Sequence, residues 1–180
     1  MRLFQACAIL TAPFIMTAVA AAGTDNPSAH EHGKAKGSIA VEEKTVVVEL
    51  EIPSDDIFGF EHATKSKEQK DAVTKALDTL RGKTLEVINL PSENGCRATE
   101  IKVESSLEGE PKNLPKDKNQ VVHSDVDIRY TFTCDKVEGL NAKLGLLKLF
   151  PRIKAVDLQV LTAKAQSKVT VTKSDTVIPL

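Results

Sequence analysis

Apolar and polar residues alternate along residues 121–134 more regularly than anywhere else in the chain. One side of this segment carries the apolar residues Val122, Val126, Ile128, Tyr130, Phe132 and Cys134. The opposite side carries the polar residues His123, Asp125, Asp127 and Arg129. A period of two residues is typical of a β-strand with one buried face. The segment therefore predicts a strand in a sheet that is covered on one side.

Shorter patterns predict the remaining elements of the fold. Ser66 and Gln69 have the spacing of a capping box, and Gly82 follows as a stop signal, so a helix is expected over 66–81. The other predicted elements are a hairpin over 38–52, a loop over 53–62, strands over 83–90, 96–105, 156–160 and 169–171, and a short helix over 141–150. Together they predict an α+β fold with an antiparallel or mixed sheet of six to seven strands, one longer helix and one short helix.

The N-terminus has the three parts of a secretory signal peptide. Arg2 is followed by an apolar, uncharged stretch over 3–19 and then by the small residues Ala20, Ala21 and Ala22. This order predicts a signal peptide over residues 1–22 that is cleaved on export. A transmembrane anchor is the alternative, but the apolar stretch has no positive stop-transfer cluster after it, so no stable anchor is expected after cleavage.

The mature chain is of a length that suits one domain. Residues 23–37 are polar and Gly-rich without periodicity, and we interpret them as a flexible arm that can join a sheet at its end. Residues 38–180 form the predicted domain. Within it, residues 106–119 are rich in lysine and proline and predict a surface loop rather than a domain boundary.

Cleavage of the signal peptide removes Cys7 and leaves Cys96 and Cys134 as the cysteines of the mature chain. An isolated pair in an oxidising compartment most simply forms one disulfide bond. Two buried free thiols are the alternative. Two cysteines alone are too few for a structural zinc site.

Charge and motifs exclude several functional classes. The formal net charge is −1, and acidic and basic residues are mixed, so neither a nucleic-acid footprint nor a membrane-binding basic patch is present. The sequence has no nucleophile elbow, no phosphate-binding glycine loop and no dinucleotide fingerprint. These observations together predict a protein that is not an enzyme.

The four histidines are the candidate metal ligands. His30 and His32 are two residues apart, so in extended backbone their side chains share one side. His62 follows Glu61 in a loop, and His123 and Asp125 share the polar side of the predicted strand. Imidazole and carboxylate groups are ligands of zinc. The alternatives are a solvated arm at His30 and His32, a surface residue or helix cap at His62, and a solvated sheet face at His123.

The order of several short motifs resembles a known family over essentially the whole mature chain. The matching segments are His30–Gly33, Val46–Glu51, Gly59–Ala63, the helix with Gln69 and Lys70, His123–Asp125 leading to Tyr130–Cys134, and Leu149–Pro151. They are similar to the ZrgA-type zinc-regulated periplasmic zinc-binding proteins, which are also catalogued as a domain of unknown function.

The resemblance implies a bacterial periplasmic protein that binds zinc without catalysis and buffers it or passes it to a periplasmic component of a zinc importer. By position, His30, His32, His62 and His123 match family histidines, and Cys96 and Cys134 match its cysteine pair. Glu61 and Asp125, which accompany His62 and His123 in the sequence, are the candidate carboxylate ligands. One departure is that residues 106–119 contain no histidine, whereas family members typically carry a His-rich tract there. The alternative is a structural or interaction protein of the cell envelope that binds no metal.

Overall fold

The structure is a computed structural model that describes residues 31–109 and 124–180. The strands of this part are β1 (Lys34–Glu42), β2 (Thr45–Pro53), β3 (Ile88–Asn89), β4 (Arg97–Ser105), β5 (Asp125–Thr133), β6 (Asn141–Leu144), β7 (Ala155–Leu161), β8 (Gln166–Val171) and β9 (Ile178–Pro179). The helices are α1 (Ser54–Phe58), α2 (Lys67–Gly82), α3 (Thr84–Val87) and α4 (Leu146–Leu149), and a 3-10 turn spans Ser92–Asn94.

The strands form two sheets. The larger is six-stranded with the order β4-β5-β2-β1-β7-β8, and the smaller is three-stranded with the order β3-β6-β9. Strand β1 pairs with β7 in parallel, while the other neighbours in the larger sheet are antiparallel. The predicted α+β class with a mixed sheet is confirmed. The predicted six to seven strands differ from the described part, which contains nine strands in two sheets.

One face of the large sheet is buried against helix α2. Ile39, Val48 and Tyr130 lie side by side on three neighbouring strands, and all three are fully buried. Helix α2 begins with the predicted capping box between Ser66 and Gln69. The hydroxyl of Tyr130 donates a 2.6 Å hydrogen bond to the backbone carbonyl of Leu80 in this helix. The alternation that predicted β5 is confirmed over its described residues, because its apolar side is the buried side.

Two apolar segments differ from their predicted structure. Residues 83–90, predicted as a strand, form α3 followed by the two-residue strand β3. Residues 141–150, predicted as a helix, form β6 and then α4. Gly145 lies between these two elements, and a Cβ atom there would collide with the backbone carbonyl of Glu86. Short apolar runs do not distinguish a buried strand from a buried helix, which explains both errors.

A third difference lies in residues 53–62, which were predicted as a loop. Their first part forms the single-turn helix α1, which follows directly from Pro53 at the end of β2. The acidic side chains of Asp55 and Asp56 favour the first turn of a helix. Helix α1 ends at Gly59, which adopts a positive φ of 85°.

Cys96 and Cys134 form a disulfide bond, so the predicted pairing is confirmed. The bond joins the residue before β4 to the residue after β5. Strand β1 begins at Lys34 and therefore includes the end of the segment interpreted as an arm. The predicted signal peptide over 1–22 and residues 110–119 of the predicted loop lie outside the described residues. Within the described ranges, none of the helices has the length and apolar character needed to cross a bilayer.

Candidate metal centre

Three segments meet at the end of the sheet where β1 begins. The backbone N–H of Gly33 donates to both carboxylate oxygens of Asp56, at 2.8 and 2.9 Å. The N–H of Ser54 donates to the carbonyl of Ser124 at 2.8 Å, and the Ser124 hydroxyl donates to the carbonyl of Glu61 at 3.2 Å. These bonds hold the turn before β1, the α1 region and the start of β5 against one another.

His32 lies between two carboxylates at this junction. Its Nδ1 atom is 3.4 Å from Oδ2 of Asp55, and its Nε2 atom is 3.4 Å from Oε1 of Glu61. The imidazole is 54% exposed, whereas the Glu61 side chain is only 15% exposed. Both distances exceed those of a good N–H···O hydrogen bond. The two ring nitrogens are thus directed at carboxylate oxygens from an accessible position.

The distance between Nε2 of His32 and Oε1 of Glu61 suits a shared zinc ion. Zinc binds nitrogen and oxygen ligands at about 2.0–2.2 Å with tetrahedral geometry, so two ligand atoms of one ion lie about 3.3 Å apart. The carboxylate of Asp55 lies on the other side of the ring, near Nδ1. A carboxylate in that position fixes the tautomer and orientation of a metal-binding histidine. The separation of His32 from Glu61 is therefore compatible with a pair of zinc ligands, and Asp55 lies beside the other ring nitrogen.

Asp56 is a buried carboxyl in the same cluster, 2% exposed. Burial is the main cause that raises its pKa above the ordinary value of 3.8, and the negative charges of Asp55 and Glu61 also raise it. The hydrogen bond from Gly33 and the nearby His32 act in the opposite direction. The ionised form of Asp56 is therefore less favourable in the folded protein than in the unfolded chain.

This shift predicts the pH dependence of an Asp56→Asn variant. A raised folded-state pKa contributes stability below the unfolded value, and that contribution is lost as the pH rises through the folded value. In zinc-free protein, the free energy of unfolding of Asp56→Asn should therefore increase relative to wild type as the pH rises above 3.8. Urea denaturation across this range measures the difference, with exposed Asp175→Asn as control. The opposite trend would show that the ionised carboxylate is stabilising.

His62 makes different contacts from His32. Its ring stacks on Phe60 with the centroids 5.3 Å apart, and its Nδ1 atom is 3.0 Å from the carbonyl of Ala63. A carbonyl only accepts hydrogen bonds, so the neutral ring carries its proton on Nδ1 and its lone pair on Nε2. No contact joins His62 to His32 in the described part of the chain.

The other predicted ligands fall at the edge of this region or outside it. Asp125 lies opposite Pro53 in the sheet, next to the start of α1. The pKa of Lys36 is raised chiefly by its hydrogen bond to Glu51, with a smaller contribution from the charge of Asp125. His30 and His123 lie outside the described residues. Over residues 31–109 and 124–180, no group of three or more His, Cys, Asp or Glu side chains is arranged to hold a metal ion.

Sequence reasoning did not single out Asp55 and Asp56. Both lay within the predicted loop over 53–62, and their position at the start of α1 could have been found because acidic residues are enriched in the first turn of a helix. Their proximity to His32 is a tertiary contact that has no signal in the local sequence.

Comparison with protein families gives one match that spans most of the chain. Residues 29–180 match the family described as ZrgA family zinc uptake protein. The chain belongs to this family. The resemblance predicted from the sequence is therefore confirmed, and membership in the ZrgA family connects the protein to zinc uptake. No match to a curated protein was found.

Proposed function

We propose that this ZrgA family protein is a non-catalytic, periplasmic zinc-binding protein that buffers zinc or passes it to a zinc importer. The observation that supports the proposal is the 3.4 Å separation of His32 Nε2 from Glu61 Oε1. The membership in a family of zinc uptake proteins agrees with it. The export signal predicted over residues 1–22 supports the periplasmic location.

The chemistry of the cluster suits zinc as cargo. Neutral imidazole and carboxylate are borderline and hard ligands that Zn²⁺ accepts, and Cu²⁺ or Ni²⁺ would also bind them in vitro. The pair needs further donors, because structural zinc sites have four ligands. We propose that two of the four residues His30, His62, His123 and Asp125 supply them. His30 is two residues from His32 in the sequence. His123 directly precedes Ser124, whose hydroxyl donates a hydrogen bond to the backbone carbonyl of Glu61.

The proposal is tested by calorimetric titration of the zinc-free mature protein with ZnCl₂. We expect one ion per chain, with an affinity that falls below about pH 6.5, because imidazole must lose its proton to bind the metal. The absence of saturable binding at neutral pH would contradict the proposal. A melting temperature that does not change with zinc would favour the envelope interaction protein instead, since a bound ion stabilises the folded state by mass action.

A further inference from the structure

The two outer strands of the large sheet differ in how their free edges are treated. At the β4 edge, the Arg81 guanidinium donates a 2.7 Å hydrogen bond to the carbonyl of Val103 and binds both carboxylate oxygens of Glu108 at 2.7 Å. A register shift between Ala98 and Glu100 also interrupts this strand. Covering groups and bulges are the devices by which proteins prevent an edge strand from pairing. The β4 edge is therefore covered at Val103 and interrupted between Ala98 and Glu100.

Strand β8 forms the opposite edge. The hairpin before it is closed by a 2.9 Å bond from the N–H of Thr162 to the carbonyl of Ala165. In an antiparallel pair, hydrogen-bonded and non-hydrogen-bonded residue pairs alternate. Thr162 and Ala165 are a hydrogen-bonded pair, so every second pair in the register with β7, beginning with the next one, is not hydrogen-bonded. The backbone N–H and C=O groups of Gln166, Lys168 and Thr170 therefore point away from β7. In the described part of the chain, no strand pairs with these outward groups.

The side chains of β8 define what can pair there. Lys168 lies on the polar face of the sheet, and no carboxylate among the described residues forms an ion pair with it. Val169 and Val171 lie on the apolar face, where Val171 is fully buried and Val169 is partly exposed. In an added strand, one residue would therefore lie opposite Lys168 on the polar face. The residues before and after it in that strand would place their side chains on the apolar face.

We propose that the outer edge of β8 binds an extended segment of a partner protein, with an acidic side chain opposite Lys168 between two β-branched apolar residues. An extended backbone is the conformation that matches the outward N–H and C=O groups, and opposite charges on directly facing residues are favourable in an antiparallel pair. The carboxylate supplies the charge complementarity that selects this partner.

A second copy of the chain fits this edge less well. Antiparallel pairing of two β8 strands centred on Lys168 would place this residue opposite the same lysine of the second copy. Like charges directly opposite one another are destabilising. Lysine on an exposed edge is a common device against self-association. The same lysine that opposes a dimer favours an acidic strand.

The proposed edge is close to the start of β1 but is independent of the proposed zinc function. Thr170 of β8 lies opposite Asp157 of β7, which lies opposite Lys36 of β1. Strands are about 4.8 Å apart, so β8 is about 10 Å from β1. A docked segment would lie one further strand spacing away from β1, and its binding depends on the backbone of β8 and not on zinc.

The test uses two capped seven-residue peptides with Val-Glu-Val or Val-Lys-Val at the centre, added to ¹⁵N-labelled zinc-free protein. We expect the Val-Glu-Val peptide to bind about two- to fivefold more tightly, with chemical-shift changes centred on β8. Lys168→Glu should invert this preference. Methylating the peptide amides that face β8 should abolish binding, while methylating those on the other edge should leave it unchanged.

The other outcomes overturn the proposal. Equal affinity for both peptides, no binding at millimolar concentration, or shift changes outside β7 and β8 would exclude selective strand addition. Sedimentation velocity of the protein alone is the second measurement. A concentration-dependent dimer in wild type that strengthens in Lys168→Ala would assign the β8 edge to a second copy of the chain instead.

Discussion

We expect His32→Ala to lower the affinity of the protein for Zn²⁺ by about a hundredfold or more. The substitution removes the nitrogen that lies 3.4 Å from Glu61 Oε1 and leaves a carboxylate without its partner ligand. Asp55→Asn should cost about ten- to a hundredfold, because an amide keeps the hydrogen bond to Nδ1 but not the charge that raises the basicity of the ring. Competition titration with a zinc chelator measures both values.

The matched control for these variants is Glu138→Gln, which removes an exposed carboxylate beyond the opposite end of β5. It should leave the affinity for zinc unchanged. Circular dichroism of each variant checks that the fold is retained. If His32→Ala and Glu61→Gln both bind zinc as tightly as wild type, the cluster at the start of β1 is not the zinc site, even if the protein binds the ion elsewhere.

We expect the loss of the disulfide bond to lower the free energy of unfolding by about 3–4 kcal/mol. Cys96 and Cys134 are 38 residues apart, and the bond restricts the unfolded chain over that whole loop. It also fixes the ends of β4 and β5, whose other ends are joined by the long connection over residues 106–124. Urea denaturation of a Cys96→Ala, Cys134→Ala double variant measures the loss.

Reduced wild-type protein is the control for that double variant, because it loses the bond but keeps both side chains. The two samples should be destabilised by similar amounts. The zinc affinity of the folded double variant should stay at the wild-type value, because the bond lies at the opposite end of β5 from Asp125. A loss below about 1 kcal/mol would show that the unfolded chain is already restricted without the bond.

The parts of the fold that were predicted correctly are those encoded locally. The alternation in β5, the hairpin of β1 and β2 and the capped helix α2 are each visible within one short window. The parallel pairing of β1 with β7 has no such signal, because it joins distant residues through their backbone. Residues 141–150 show the other limit, since a short apolar run fits a helix and a strand equally well.

The candidate site also has a part that the sequence predicted and a part that depends on tertiary contacts. The sequence identified His32 and Glu61 through residue type and a family resemblance, and the structure brings both side chains together. Asp55 was missed because it lay within the predicted loop over 53–62. Its role depends on the direction in which α1 leaves β2, and that direction is fixed by packing rather than by the local pattern.

The central place of β1 in the sheet links the candidate metal centre to the C-terminal third of the chain. The carbonyl of Gly33, next to His32, accepts hydrogen bonds from the N–H groups of Lys154 and Ala155 at 2.7 and 3.0 Å. The imidazole is therefore held in position by residues from the C-terminal third of the protein. During synthesis, a nascent chain that has released only its first hundred residues carries His32 and Glu61 but not this support. The arrangement of His32 that we propose for zinc binding therefore gains this support only after residues up to Ala155 have been synthesised.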